Sequence, residues 1–392
     1  MKTLKDPIHG NIHFSDDEVR ILDAPELQRL RNIKQLGLSY LVYPSATHSR
    51  FEHSIGTYFL ANKLAASLKL SKEDVQKVRL AALLHDIGHG PFSHSSERAI
   101  LTRFDSKFSH ERNTARILKK SPISDYLKEI GFSGEEIAKI AVEGKSKFSE
   151  IVSGEIDVDR MDYLVRDSYY TGAAYGTIDL DRLIDTLQLK TGRLVFSENG
   201  FSAAESMVLA RYLMYPSVYE HHTTRIADTM FTYATASALE DKIFTPEELY
   251  SMDDIELISR LRELEGTPAH LVERIESRKL YKRAISFSKE DLGKSFLKFL
   301  RINPKQALKL ERELLNKCKL SAGEVILDIP DPLYVKEARA KIFWKGKIRE
   351  LSNVSPLVKA LSAAQWSYWN IAVYCDSQNL GKVQKAAKKV LL

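Results

Sequence analysis

Within Leu80–Glu97, LAALLHDIGHGPFSHSSE, an uncharged apolar run is followed by His85, Asp86, His89 and His94, and Glu97 closes the stretch. The spacing predicts a helix running into this stretch. His89 would sit at i+4 above His85, and Asp86 about 100° round the axis would edge the same cleft. An isolated His-Asp pair also fits a helix with exposed polar residues and a core histidine. This pair is not isolated. His53 lies upstream in THSRFEHS, the His110–Glu111 pair follows in FSHE, and Asp159 lies downstream in EIDVDRMDY.

Taken together, His53, His85, Asp86 and Asp159 form a mixed nitrogen and oxygen donor set. It suits Fe, Mn, Co, Ni or Zn better than Ca, with Mg also a candidate, and it leaves positions open for water and substrate. Hydrolysis follows, because such a divalent metal lowers the pKa of water and polarises a phosphoryl oxygen. His89, His94 and His110 can supply protons near pH 7 or hold phosphate oxygens. His94 with Glu97 reads as an acid oriented by a carboxylate, and Glu111 can do the same for His110. Arg50, at the start of a long helix, is a natural phosphate ligand or a surface ion pair.

These residues need a helical frame. DPIHGNIHF reads as a short hairpin, and DDEVRILDAPELQRLRNIKQLG as helices broken at Ala24–Pro25, with Asp23, Gln28, Arg31 and Gln35 on a polar face. A helix starting near Asp157 would place Asp159, Tyr163 and Arg166 on one wall. The helix SAAESMVLARYLMYPSVYEHHTTRIADTMF carries Arg211, Tyr215 and Tyr219 at i+4 spacing, a stripe that also fits plain core. Ser109 caps a helix carrying His110 and Glu111.

At 392 residues the chain can bury a large core. Two cysteines far apart argue against a disulfide framework and against a cysteine-based zinc site. The beginning MKTLKDPIHGNIHF has no basic-then-apolar leader, and no run approaches the ~20 apolar residues of a membrane helix. A cytoplasmic protein without membrane contact is the expectation. The net charge of +6 is modest and fits an anionic substrate or single-stranded nucleic acid equally.

DPIHG, LQRLRNIKQLG, ATHSRFEHSIG, LLHDIGHGPFSH, FSHE, IDVDRMDYLVRD and the Arg211–His221 segment together resemble the HD-domain deoxynucleoside triphosphate triphosphohydrolases, nearest to the SAM- and HD-domain branch but without a SAM domain. The resemblance runs from about Asp6 to Asp228. It implies metal ligation by His53, His85, Asp86 and Asp159. Arg50, His89, His110, Arg160, Tyr163 and Arg211 would surround the triphosphate, and His94 would protonate the leaving 5′-oxygen. It further implies that Gln35 and Asp167 read the sugar 3′-hydroxyl, that Leu36 lies under the base, and that Tyr219 packs against C2′ and excludes a ribose hydroxyl. Arg160, Glu97 and Tyr215 stand where close relatives have Lys, Asp and His; Tyr215 bears on base or phosphate preference. A homo-oligomer, dimer or tetramer, activated by GTP or dGTP at Asp23 and Arg31 is also implied.

The expected fold is mainly α: an HD-domain core over residues 1–240, a helical connector over 241–279, and a smaller α+β domain over 280–392, read as strand, helix, strand, strand, helix, strand, helix. The expected function is metal-dependent cleavage of a dNTP to deoxynucleoside and inorganic triphosphate. Two other readings compete. One is an HD phosphohydrolase acting on nucleoside monophosphates or other phosphoesters, and the other a nucleotide-sensing protein that binds nucleic acid through YKR, WKGK and KVQKAAKK.

Overall fold

The chain opens as an antiparallel hairpin of β1 (Lys2–Asp6) and β2 (Gly10–Phe14). Its turn is fixed by Asp6, whose Oδ2 accepts the backbone N–H groups of Ile8 and His9 at 3.0 and 2.8 Å. The computed structural model describes residues 1–104, 108–190, 192–330 and 336–392. Helices Asp16–Leu22 and Pro25–Gln28 follow, separated at Ala24–Pro25 as the sequence indicates, with Pro25 at the first helical position.

The centre of the fold is a helical hairpin, Arg50–Ser67 packed on Lys72–Leu84. Ser49 and Glu52 form a capping box that fixes where the first helix starts, and hence where Arg50 and His53 point. Helix Val158–Thr171 crosses the same hairpin, with Asp157 as its N-cap. The crossing is close at Gly56. A Cβ there would lie 2.0 Å from Asp162 Oδ1 and 2.4 Å from Arg166 Nη2, so only glycine lets the two helices meet.

Strands β3 (Leu187–Lys190) and β4 (Arg193–Phe196) form an antiparallel pair. The C-terminal part supplies β5 (Lys282–Ser288), β6 (Val325–Asp328), β7 (Lys341–Trp344), β8 (Lys347–Glu350) and β9 (Asn370–Cys375). With helices Pro304–Cys318, Pro356–Ala364 and Leu380–Leu391 between and after them, the order departs from the one read from sequence at one place: the stretch read as a single second strand before Pro356 is the β7–β8 hairpin, so three strands stand between the first two helices. The strands divide between two sheets. The sheet β5-β9-β6 stands alone, whereas the β7–β8 hairpin extends β3–β4 through a parallel pairing of β7 with β4. The molecule is mainly α with a smaller C-terminal α+β region.

Two helix expectations are corrected. Helix Lys72–Leu84 stops with His85 as its C-cap, so His89 is not stacked above His85 on a helical face. The turn that follows packs closely on another helix: a Cβ at Gly88 would lie 2.3 Å from both the His110 carbonyl oxygen and the Thr114 nitrogen, so only glycine fits there. The helix through Arg211 is likewise interrupted. It runs Phe201–Met214, widens into a π turn at Tyr215–Tyr219 around Pro216, and a new helix, His222–Glu240, begins with His221 as N-cap. Among the described residues no helix is long and apolar enough to cross a membrane.

Candidate active site

Three segments bring the donor set together. His53 comes from the second turn of helix Arg50–Ser67, His85 and Asp86 from the turn after Leu84, and Asp159 from the first turn of helix Val158–Thr171. His53 Nε2 is 3.0 Å from Asp159 Oδ1 and 3.8 Å from Asp86 Oδ2, and His85 Nε2 is 3.2 Å from Asp86 Oδ1 and 3.7 Å from Asp159 Oδ1. The far nitrogens of both rings are already engaged: His53 Nδ1 lies 2.8 Å from Asp162 Oδ2, and His85 Nδ1 lies 2.7 Å from the Ala82 carbonyl oxygen. Both Nε2 atoms therefore face one point, and His85 Nε2 is buried with no hydrogen-bond partner.

The set fits a divalent cation on these grounds. Ligand nitrogens turned inward, each held from behind by a carboxylate or carbonyl, are the arrangement that orients metal-binding histidines. Burial works against charge on His53, but Asp159 and Asp162 outweigh it and lift its pKa to about 10. The surroundings thus favour positive charge at this position.

The support behind His53 reaches the N-terminal hairpin. Asp162 Oδ1 is 2.7 Å from His9 Nε2, Arg166 Nε donates to Asp162 Oδ2 at 2.7 Å, and Arg166 Nη1 donates to Asp6 Oδ1 at 2.8 Å. Arg166 is fully buried in this network. It does not line the wall with Asp159 and Tyr163, because its partners Asp162 and Asp6 draw it behind the metal ligand. The DPIHG motif acts through Asp6 and His9, which composition and spacing alone do not reveal.

Beside the donor set lie three imidazoles. His89 stacks on His110 at 3.9 Å between centroids, and His89 Nε2 is 3.4 Å from Asp86 Oδ1. Glu97 Oε2 is 2.9 Å from His110 Nδ1 and 3.6 Å from His94 Nδ1, while Glu111 lies 3.4 Å from His110 Nε2. Glu97 therefore orients His110 more closely than His94, a correction to the pairing read from the sequence. The reason is local: Glu97 also accepts from the His110 backbone N–H, which docks the helix His110–Lys120 against it. Burial opposes charge on His110, but Glu97 raises its pKa; the same pair holds Glu97 down against the effect of its own burial. Burial, Arg50 and the neighbouring His110 push His89 well below its ordinary value. His89 is thus held neutral beside a readily charged His110. His94 is 75 % exposed in its side chain, at the mouth of the site.

The loop between His89 and His94 is strained. Phe92 and Ser93 have φ of 50° and 52°, the latter with ψ of −111°, positive-φ backbone that costs a non-glycine residue roughly 1–3 kcal/mol. It is held in place by the Phe92 N–H donating to Asp254 Oδ1 at 2.6 Å, by Phe92 packed on Phe231, and by Arg50 Nε donating to Ser93 Oγ at 2.6 Å. Asp254 Oδ2 also accepts the Lys34 N–H at 2.9 Å. Arg29, partly buried, donates to the carbonyls of Met252, Ile87 and His89. Asp254 and Met252 thus tie residues 252–254 to two loops of the site.

Arg50 also donates to Asp86 Oδ2, so it spans the metal set and the strained loop. Further along, Arg160 and Arg211 converge. Arg160 Nε donates to Glu337 Oε1 at 2.5 Å and Arg211 Nη1 to Glu337 Oε2 at 2.9 Å, while Arg211 Nε lies 3.3 Å from the Tyr163 hydroxyl. A third group gathers around Asp167: His48 Nε2 lies 2.8 Å from Asp167 Oδ1, and the Tyr219 hydroxyl donates to Asp167 Oδ2 at 3.0 Å. Gln35 is tied alongside, its N–H donating to the His48 carbonyl at 2.9 Å, with its buried Oε1 lacking a partner. Leu36 follows it, partly buried on the core. Tyr215 faces Glu220, hydroxyl to Oε1 at 3.3 Å. Asp23 and Arg31 stand apart: Asp23 is exposed and paired with Lys2, and exposed Arg31 lies over the Phe51 ring.

Two histidines and two aspartates gathered from three segments of a helical core define a metal-site protein of the HD type. The chain matches the HD domain over residues 50–167 and the HD associated region over residues 178–392. It is 39% identical over 394 residues to the uncharacterized protein MJ1154 of Methanocaldococcus jannaschii, covering 98% of this chain and 81% of that one. It is 31% identical over 343 residues to the deoxynucleoside triphosphate triphosphohydrolase SAMHD1 of Bos taurus, covering 72% of this chain and 58% of the bovine protein. Among solved structures, a hypothetical protein from Aquifex aeolicus superposes with a TM-score of 0.78 at 32% identity, over 98% of this chain and 99% of that one. A phosphohydrolase from Bacteroides thetaiotaomicron gives 0.76 at 25% identity, over 96% of this chain and all of the other. The chain belongs to the HD-domain phosphohydrolase family, in a branch whose relatives include the SAMHD1 triphosphohydrolases.

Proposed function

We propose that the chain hydrolyses deoxynucleoside triphosphates to deoxynucleoside and intact inorganic triphosphate. The observation carrying this reading is a set of three linked groups: His53, His85, Asp86 and Asp159; Arg160, next in the chain to Asp159, with Arg211; and Gln35, His48, Asp167 and Tyr219, joined to Arg211 through Tyr163, whose hydroxyl lies 3.3 Å from Arg211 Nε and whose ring centroid lies 6.0 Å from that of Tyr219. A phosphate chain and a sugar need such neighbours.

A divalent cation held by His53, His85, Asp86 and Asp159 would polarise a phosphoryl oxygen and acidify a water. Arg50, Arg160, Tyr163 and Arg211 bind the remaining phosphate oxygens, the guanidiniums offering paired N–H donors. His110, whose protonated form Glu97 favours, faces the α-phosphate, while His89 positions it by stacking. His94 delivers a proton to the leaving 5′-oxygen from the open edge. Asp167 accepts the sugar hydroxyl hydrogen bond, and the Tyr219 ring crowds C2′, which selects deoxyribose.

Activation by GTP or dGTP at Asp23 and Arg31 within a homo-oligomer belongs to the same reading, supported by the exposure of both residues. The activity is tested by chromatographic analysis of the products formed from each dNTP. Equal amounts of deoxynucleoside and triphosphate are expected.

A further inference from the structure

Arg160 and Arg211 do not wait for substrate with open donors. Their guanidiniums are bridged by the carboxylate of Glu337, one oxygen to each. Glu337 sits on the short turn Lys336–Arg339, just ahead of β7, and it is fully buried. It reaches the site across 177 residues from Arg160 and 126 from Arg211. A carboxylate with its two oxygens shared between two guanidiniums reproduces the charge and donor pattern that a phosphate would satisfy there.

Arg160 keeps a second set of partners: it donates to Asp157 and to the Gly154 carbonyl, and these hold its side chain in place. Arg211 is positioned by the Tyr163 hydroxyl. Neither arginine depends on Glu337 alone for its place. What Glu337 supplies is negative charge between two partly buried cations: Arg160 also has Asp157 as a counter-charge, whereas among the described residues Arg211 pairs with Glu337.

We propose that Glu337 is an internal substitute for a substrate phosphate, a competitive plug that must leave the Arg160–Arg211 station before an anionic phosphate chain can occupy it. The plug rests on the triphosphohydrolase reading for the identity of the displacing anion, but its geometry is independent of that reading. Its consequence is a weakened apparent affinity, because part of the phosphate's interaction replaces an existing contact of the same kind instead of adding to it. It also keeps the cationic station neutralised and closed to small adventitious anions.

The test uses the full-length, metal-loaded protein with inorganic tripolyphosphate as the probe, followed by calorimetry, alongside KM and kcat for each dNTP. Glu337→Gln keeps the shape and removes the charge. It is expected to tighten tripolyphosphate binding roughly tenfold, and to lower KM for any dNTP that is turned over by more than it changes kcat. Glu337→Asp, shorter by one methylene, should give a smaller shift in the same direction, and it decides the matter if the Gln variant does not fold. Unchanged or weaker tripolyphosphate binding in the folded variants would overturn the plug and make Glu337 a positioning residue for the two arginines. If neither wild type nor variant cleaves any dNTP, the triphosphohydrolase reading fails, while the change in tripolyphosphate binding still decides the role of Glu337.

Discussion

Asp162 holds the back of His53: its Oδ2 lies 2.8 Å from Nδ1, on the side of the ring opposite Asp159. The carboxylate fixes both the tautomer and the direction of Nε2, and Arg166 and His9 in turn fix the carboxylate. Asp162→Asn keeps the shape but removes the charge that supports His53. We expect metal affinity to fall by roughly 10–100-fold, measured by competition with a chromogenic chelator. Full retention of the metal would show that the support behind His53 is dispensable.

Tyr219 is placed by Asp167 and by the π turn that Pro216 opens. If its ring excludes a ribose hydroxyl, Tyr219→Ala makes room for one. The ratio of kcat/KM for ATP to that for dATP is expected to rise by about tenfold or more, in the range that shape discrimination over one small group can supply. An unchanged ratio would move sugar selection elsewhere.

Glu311, on helix Pro304–Cys318, is buried and accepts the Leu327 N–H of β6 at 3.2 Å. Burial raises its pKa from 4.5 to about 7, with Arg103 and that hydrogen bond offsetting only part of the effect. A folded-state pKa above the unfolded one means that the native state holds the proton more tightly. Stability is therefore full below about pH 4.5 and is lost as pH rises to about 7. Glu311→Gln should remove that loss, gaining on the order of 1–3 kcal/mol over wild type at pH 8 and little at pH 5. Urea denaturation at the two pH values measures it, and an equal effect at both would contradict the account.

The donor set was legible because His, His-Asp and Asp are uncommon as a spaced series, and the N-cap at Asp157 could be read directly. The stop after Leu84 was less legible, since the turn that follows packs on the distant backbone of His110 and Thr114, which lie against Gly88. Arg166 carried the right helical spacing for the substrate wall, yet Asp162, one turn back on its own helix, and Asp6 on β1 turned it inward. Arg29, Asp254 and Glu337 gave no local signal. Each is one charged residue among several in a stretch that reads as a solvated helix or loop, and its partner lies on a distant segment. The strands of the C-terminal region were visible as short apolar runs, except that the β7–β8 hairpin reads as one strand. That β7–β8 would join β4 was not, because register between distant strands leaves no trace in either one alone.

The central claim is tested most directly by ion-exchange analysis of products. The purified chain would be incubated with each dNTP and NTP, with Mg, Mn or Fe, and with or without GTP, beside the Asp159→Ala variant. The account predicts deoxynucleoside and intact triphosphate in equal amounts from dNTPs, and loss of both when Asp159 is removed from the donor set. Orthophosphate as the product, or turnover that survives in Asp159→Ala, would contradict it.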